Sequence, residues 1–364
     1  VSSRFVIAAL AVVSLLGALE ASISTAHAQA GELAAPSLAS PSLASPSLAS
    51  PSPTPEATET SAHSAALASV GRGDPSLGID SEFAAWADVG IFSGDYAPGG
   101  GAGSFTLIGT DFGVWMGLGD EARLSVDWGV AYGVGHVVGS YPATPDPLVY
   151  DASVERVEAR NPVISFDWIP WLGDGSRLSA GLVLAIPSAA IQTFGDAIQA
   201  GPRTVEEAAT FETSRRTHDV WLASNGGWNA WRYLPERLTF ALPLSVLFDL
   251  GPVRLALDGA LGVAVPVLGG VGDVDGIAQA AAELYGTAAT FEAGSFSMGA
   301  RLSIAGYHLG ASNAVAQPSI EPWVRIDARP GFVTVRGVLN VGDPFGLGNP
   351  TGVWALHVGG GIAL

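Results

Sequence analysis

Residues Ala122–Gly139, ARLSVDWGVAYGVGHVVG, alternate along their whole length. Leu124, Val126, Trp128, Val130, Tyr132, Val134, His136 and Val138 are large and mostly apolar. Between them Arg123, Ser125, Asp127, Gly129, Ala131, Gly133 and Gly135 are small or polar. A period of two sends successive side chains to opposite faces, so this stretch is one long β-strand with two unlike faces. Strands of globular domains usually run to about five or six residues. A strand that crosses a bilayer at a tilt needs about nine to eleven.

The pattern continues to the last residue and predicts twelve strands, at 83–92, 105–118, 122–138, 154–170, 177–187, 237–250, 253–267, 279–292, 295–308, 319–328, 331–341 and 351–364. Their connections alternate in length. Short turns fall at 119–121, 172–176, 251–252, 293–294 and 329–330, and longer loops at 93–104, 139–153, 188–236, 268–278, 309–318 and 342–350. Alternating lengths put all the short turns on one rim and all the long loops on the other, as in an up-and-down antiparallel barrel. The outward rows of the strands at 122–138, 237–250, 253–267, 295–308 and 351–364 contain no Asp, Glu, Arg or Lys. Lipid demands this, since Arg or Lys at the bilayer midplane of a barrel costs about 2–4 kcal/mol. A soluble sandwich would also alternate, but its polar face would be wet and well charged. Here that face is rich in Gly and Ala.

Composition agrees. Charged residues make up 14% of the chain, mean hydropathy is +0.36, and there are 47 Gly, 24 Pro and no Cys. A soluble chain carries about a quarter charged residues. The 16 basic residues are all Arg and the net charge is −18, which gives nucleic acid no basic surface to bind. Without Cys there is neither a disulfide nor a thiolate metal site.

Two segments precede the barrel. Val1–Ala30 reads as a signal peptide, with Arg4 before the apolar run Phe5–Leu19 and Ala26-His27-Ala28 as the cleavage site. Residues 31–81 carry three tandem PSLAS copies, from Pro36, Pro41 and Pro46. Frequent Pro with small Ala and Ser predicts a disordered linker. The barrel then occupies 82–364.

By this pattern the chain resembles bacterial outer-membrane β-barrel proteins over 82–364, with no particular subfamily indicated. In that family the last strand, alternating and ending in an aromatic, is read by the barrel assembly machinery. GVWALHVGGGIAL alternates but ends in Leu364. The resemblance implies an outer-membrane location after signal-peptide cleavage, with outer-membrane lipid and the assembly machinery as partners.

The inward frame collects the charges Asp111, Arg123, Asp127, Asp167, Arg177, Asp249, Arg254, Asp258, Arg301, Arg325, Asp327 and Arg336. They either neutralise one another and hold the wall, or set which solutes pass. Small inward residues, among them Gly109, Gly113, Gly129, Gly133, Gly135, Ala256, Ala260 and Gly262, leave room for a narrow water-filled pore. The loop 188–236 exceeds the ~12–15 residues beyond which loops are usually functional. Ile191, Phe194 and Ile198 suit one face of a short helix, and Thr204–Glu207 opens a second. Trp221, Trp228, Trp231 and Tyr233 follow as candidates for a constriction, cap or plug.

No cofactor, metal or catalytic site is expected. His218-Asp219 has no nucleophile placed beside it, and Gly272–Gly276 lacks the further ligands of a calcium loop. The expected function is a passive channel or small-solute transporter narrowed by 188–236. The alternative is a closed structural or adhesive barrel that displays its loops.

Overall fold

The computed structural model describes residues 83–96, 103–118, 122–141, 146–168, 171–173, 176–187, 204–234, 237–266, 274–291, 294–308, 315–328, 330–341 and 354–363. The predicted signal peptide, the Pro-rich linker and the helix over Ile191–Ile198 lie outside them. The strands are β1 (Phe83–Tyr96), β2 (Gly103–Gly117), β3 (Ala122–Tyr141), β4 (Leu148–Ala159), β5 (Val163–Trp168), β6 (Trp171–Gly173) and β7 (Ser176–Ala185). After the helix α1 (Val205–Ser224) come β8 (Arg237–Asp249), β9 (Val253–Pro266), β10 (Asp275–Phe291), β11 (Gly294–His308), β12 (Val315–Ala328), β13 (Gly331–Asn340) and β14 (Trp354–Ala363).

Every pairing is antiparallel, and β1 pairs with both β2 and β14, so the sheet closes on itself. The ladder that closes it runs from Ala84↔Ala363 to Phe92↔Ala355. The ring has twelve staves, because β4, β5 and β6 are consecutive pieces of one. Closure leaves the ring without a first or last stave to expose an edge. Among the described strands β4, beyond the break in its stave, has a single ladder partner, β3, and the short β6 a single one, β7.

Several predicted ends shift: β1 runs on to Tyr96 and β2 begins at Gly103, inside the loop predicted at 93–104, and β12 begins at Val315, inside the loop predicted at 309–318. Of the loop predicted at 139–153, residues 139–141 and 148–153 are strand. The β3–β4 ladder continues out to Tyr141↔Leu148, a hairpin longer than its neighbours. The fourth stave is also interrupted at Arg160-Asn161-Pro162, where Pro162 has no N–H to give a ladder. The Ala-rich start of the stave predicted at 279–292 is strand throughout, and it begins earlier, at Asp275.

The faces divide as the alternation requires. Val126, Trp128, Val130 and Tyr132 are exposed, while Arg123, Ser125, Asp127 and Ala131 are buried. Phe112, Val114, Leu261, Leu302, Val324, Val333, Leu356 and Val358 carry the apolar exterior round the ring. Asp88, Asp111, Glu283, Glu321, Arg325 and Arg336 lie inside. This inverts the distribution of a water-soluble domain, and such an exterior suits hydrocarbon rather than water.

Candidate functional site

The segment 204–234 connects β7 towards β8, and it packs against inward-facing residues from staves all round the ring. Thr204 starts it. Its hydroxyl accepts from the Glu207 amide at 3.1 Å, and its own amide donates to the Glu207 carboxylate at 3.3 Å. This reciprocal cap satisfies two of the amide donors a helix start leaves open. The helix that follows is polar on much of its surface yet buried, with Thr213, Ser214, Arg216, Thr217, His218 and Ser224 all inside. Thr213 and Thr217 donate to the carbonyls four residues back, each at 2.8 Å, so their hydroxyls need no partner from the wall. Gly226 and Gly227 end it with positive φ, and a Cβ on Gly226 would lie 2.5 Å from the Ser319 hydroxyl.

Four groups of contacts fix this segment. In the first, the Arg160 guanidinium, 0% exposed, lies 2.5 Å from Asp111 and 2.7 Å from Asp127. Arg232, in the short 3-10 turn Ala230–Arg232, takes the other oxygen of Asp127 at 2.9 Å. Asn161 donates its side-chain amide to the carbonyls of Trp231 at 3.0 Å and Leu234 at 2.7 Å, and its backbone amide to the Arg232 carbonyl at 2.9 Å. The break in the fourth stave is therefore where the wall turns its hydrogen bonds inward.

The second group is next to the first, since Asp88 lies across the β1–β2 ladder from Asp111. Asp88 accepts from Arg336 at 3.1 Å and lies 2.9 Å from Nδ1 of His357, whose Nε2 lies 2.8 Å from the Ser224 carbonyl. Arg336 also donates to Asn225 at 2.9 Å and to Glu321 at 3.3 Å. In the third, Ser214 donates to Glu158 at 2.5 Å, with His218 3.7 Å from the same carboxylate. In the fourth, the Gln279 carbonyl accepts from the Asn229 amide at 3.0 Å, and Asn340 donates to the Ala223 carbonyl at 2.7 Å. A buried charge is tolerable only when paired and hydrogen-bonded, and the first two groups meet that condition through several partners each. Tyr233 closes the first group, 3.5 Å from Asp111. Burial pushes its phenol up, and the Asp111 carboxylate adds to the effect.

The four aromatic candidates are all buried. Trp221 belongs to α1 rather than a loop, and it packs with Trp231, Tyr233, Phe105, Leu107 and wall alanines from several staves in one apolar cluster. Trp228 lies under Arg301, the guanidinium 4.1 Å from the ring centre. The space expected over the small inward residues is occupied. Trp221 stands over Gly109, Thr217 and Phe105 over Gly133, and Arg160 with Asp111 over Gly129.

Of the predicted charges, Asp111, Asp127, Arg301 and Arg336 meet the segment directly. Arg123 binds Asp167 through two nitrogens, at 3.2 and 2.9 Å. Arg325 pairs with Asp327 at 2.5 Å over the Phe332 ring. Arg254 and Asp249 are 3.6 Å apart near the short-turn rim, Arg177 is half-buried on β7, and Arg301 faces Asp258 at 3.3 Å. Sequence reasoning missed Asp88, Glu158, Arg160, Asn161, Gln279, Glu321 and His357. Asp88, Glu321 and His357 stand on inward rows, so the alternation alone would have found them. His218 faces Glu158 and not its neighbour Asp219 for an acid–base pair, and Asp275 is buried against Arg237 at 2.5 Å rather than in a polar turn. Among the described residues no three His, Asp or Glu side chains gather as a metal site would need.

Below this segment, towards the short turns, lies a cavity of about 100 Å³. Ser125, Ser165, Ser179 and Ser245 line it with Arg123, Asp127, Asp167, Arg232, Asp258 and Arg301, under Trp228 and Trp231.

No known protein family matches the chain, and no curated protein does. Solved structures do. An outer-membrane channel from Pseudomonas putida F1 aligns at TM-score 0.44 and 10% identity, over 78% of this chain and 96% of that one. The NanC porin aligns at 0.42 and 6%, over 77% and 100%. The β domain of the Bordetella autotransporter BrkA aligns at 0.39 and 12%, over 78% and 100%. Likeness of this degree says nothing of what is bound or carried. The structural neighbours of this chain are bacterial outer-membrane β-barrels of several kinds, channel, porin and autotransporter, with no single subfamily set apart.

Proposed function

We propose that this chain is a passive channel or small-solute transporter of a bacterial outer membrane, narrowed by the segment 188–236. The observation that carries the reading is an apolar exterior around an interior of paired charges that still holds a polar cavity beside the segment. A wall that only had to stand would gain more from packed apolar side chains than from buried ion pairs. In this reading the first 30 residues are removed on export and the Pro-rich linker tethers the barrel. Lipid surrounds it once the assembly machinery has inserted it.

A second reading is a closed barrel that displays its loops. It is favoured by the bonds from 204–234 to residues on both sides of the ring, such as Asp127 and Gln279. Single-channel conductance of the refolded protein in a planar bilayer, beside a deletion of 188–236, separates the two. Steady conductance that rises on deletion supports the channel. Silence in both, with heat-modifiable migration proving a folded barrel, overturns it in favour of the scaffold.

A further inference from the structure

The cavity below 204–234 carries six charged side chains, three Arg and three Asp. Four of the six are committed. Arg123 and Asp167 hold each other through two hydrogen bonds. Asp127 accepts from Arg232 at 2.9 Å and, on its other oxygen, from Arg160 at 2.7 Å. The remaining two, Arg301 and Asp258, are not so engaged. Their separation is 3.3 Å, yet Nε and Nη2 of Arg301 make no hydrogen bond among the described residues, although Arg301 is only 4% exposed. A buried donor left unmade costs about 1–3 kcal/mol, more when charged, so a group that satisfies it is strongly preferred there.

The geometry restricts what that group is. Trp228 covers the face of the Arg301 guanidinium, which leaves the in-plane N–H edge for an acceptor, the arrangement that suits a carboxylate. Glu283 comes only within 4.0 Å of the other nitrogen, Nη1, beyond hydrogen-bond reach, while its second oxygen accepts from Trp323 at 2.7 Å. Asp258 beside it can accept from a cation. Ser245 lies opposite Asp258 in the β8–β9 ladder and opposite Ser179 in the β7–β8 ladder, bringing hydroxyls to the same wall. The lining charges sum to zero, so a simple anion or cation has no net attraction to the cavity, whereas a molecule bearing both signs can answer both members of the Arg301–Asp258 ion pair as it comes between them. The volume of about 100 Å³ limits it to a small molecule.

We infer that Arg301 and Asp258 form a binding subsite for a small zwitterionic α-amino acid, its carboxylate on the Arg301 edge and its ammonium on Asp258. The inference rests on the reading of this interior as a solute path, and names the class of solute.

The test uses the refolded full barrel and glycine as the probe, with acetate and methylamine as single-charge comparisons. Binding is followed by tryptophan fluorescence, since Trp228 and Trp231 line the cavity, and by calorimetry. Glycine should bind saturably and at least tenfold more tightly than either comparison. Arg301→Gln and the isosteric Asp258→Asn should each weaken it at least tenfold, with heat-modifiable migration retained. Acetate binding as tightly as glycine, or glycine binding unchanged in a folded Asp258→Asn barrel, overturns the zwitterion site. Absence of glycine binding in a barrel that conducts overturns the subsite and leaves the channel. Glycine binding in a barrel that never conducts supports the subsite and overturns the channel.

Discussion

Trp221 of α1 lies against Gly109 of β2 so closely that a Cβ at position 109 would sit 2.8 Å from its indole Nε1. Trp221 is 1% exposed, so it has nowhere to retreat without moving α1. Gly109→Val should therefore destabilise by the ~1–3 kcal/mol typical of overpacking. Trp221→Ala should cost more, ~3–5 kcal/mol, and open the interior. Urea unfolding of the two variants, with conductance of each, checks both.

Removing the cation shared by Asp111 and Asp127 leaves both carboxylates buried and short of charge. Arg160→Met should cost ~3–5 kcal/mol. Adding Asp111→Asn should return part of that loss, because the carboxylate left without a cation is gone, whereas Asp127 keeps Arg232. A double-variant cycle by denaturant unfolding reads the coupling.

The inward rows were legible in the sequence because each strand keeps a strict period of two. A reader who fixes Trp128 outward has fixed Asp127 inward, and the twelve-stave ring follows from counting such segments. What fills the ring was not legible. Gly109 and Gly133 read as space because a small residue looks the same whether it faces water or a Trp221 supplied from elsewhere. Arg160 was unreadable for a related reason. It stands at a break in the alternation, where the wall bonds to a segment about 70 residues later. The capping of Thr204 by Glu207 was visible, since it is local, whereas the helix's burial depends on contacts distant in sequence.

Outer-face substitutions should reveal depth. Val130 is exposed on β3 between Trp128 and Tyr132, and Val130→Arg should cost about 2–4 kcal/mol in a bilayer. Val149 is 68% exposed on the long β3–β4 hairpin, next to the exposed Asp151. Val149→Arg should cost close to nothing. Equal penalties in lipid vesicles would contradict a membrane band that ends below the hairpin.

Tyr233 should mark an alkaline limit. Its phenol is held above the ordinary value near 10, so the unfolded chain ionises first as pH rises. The stability concerned is complete below about pH 10 and is lost above it, up to the folded value. Absorbance titration should show a late tyrosine that disappears in Tyr233→Phe. That variant should also lose stability less steeply over the same range.

The partners of 204–234 come from widely separated parts of the chain. Asp127 and Asn161 precede it, Gln279 and Asn340 follow, and Asp88 and His357 meet only when the first stave reaches the last. The segment is thereby a gauge of ring closure. A barrel assembled with one stave too few or too many would leave Arg336, Asp88 or Asp127 facing the wrong neighbour, each a buried charge without its mate. Correct closure is the arrangement in which all of these are answered together.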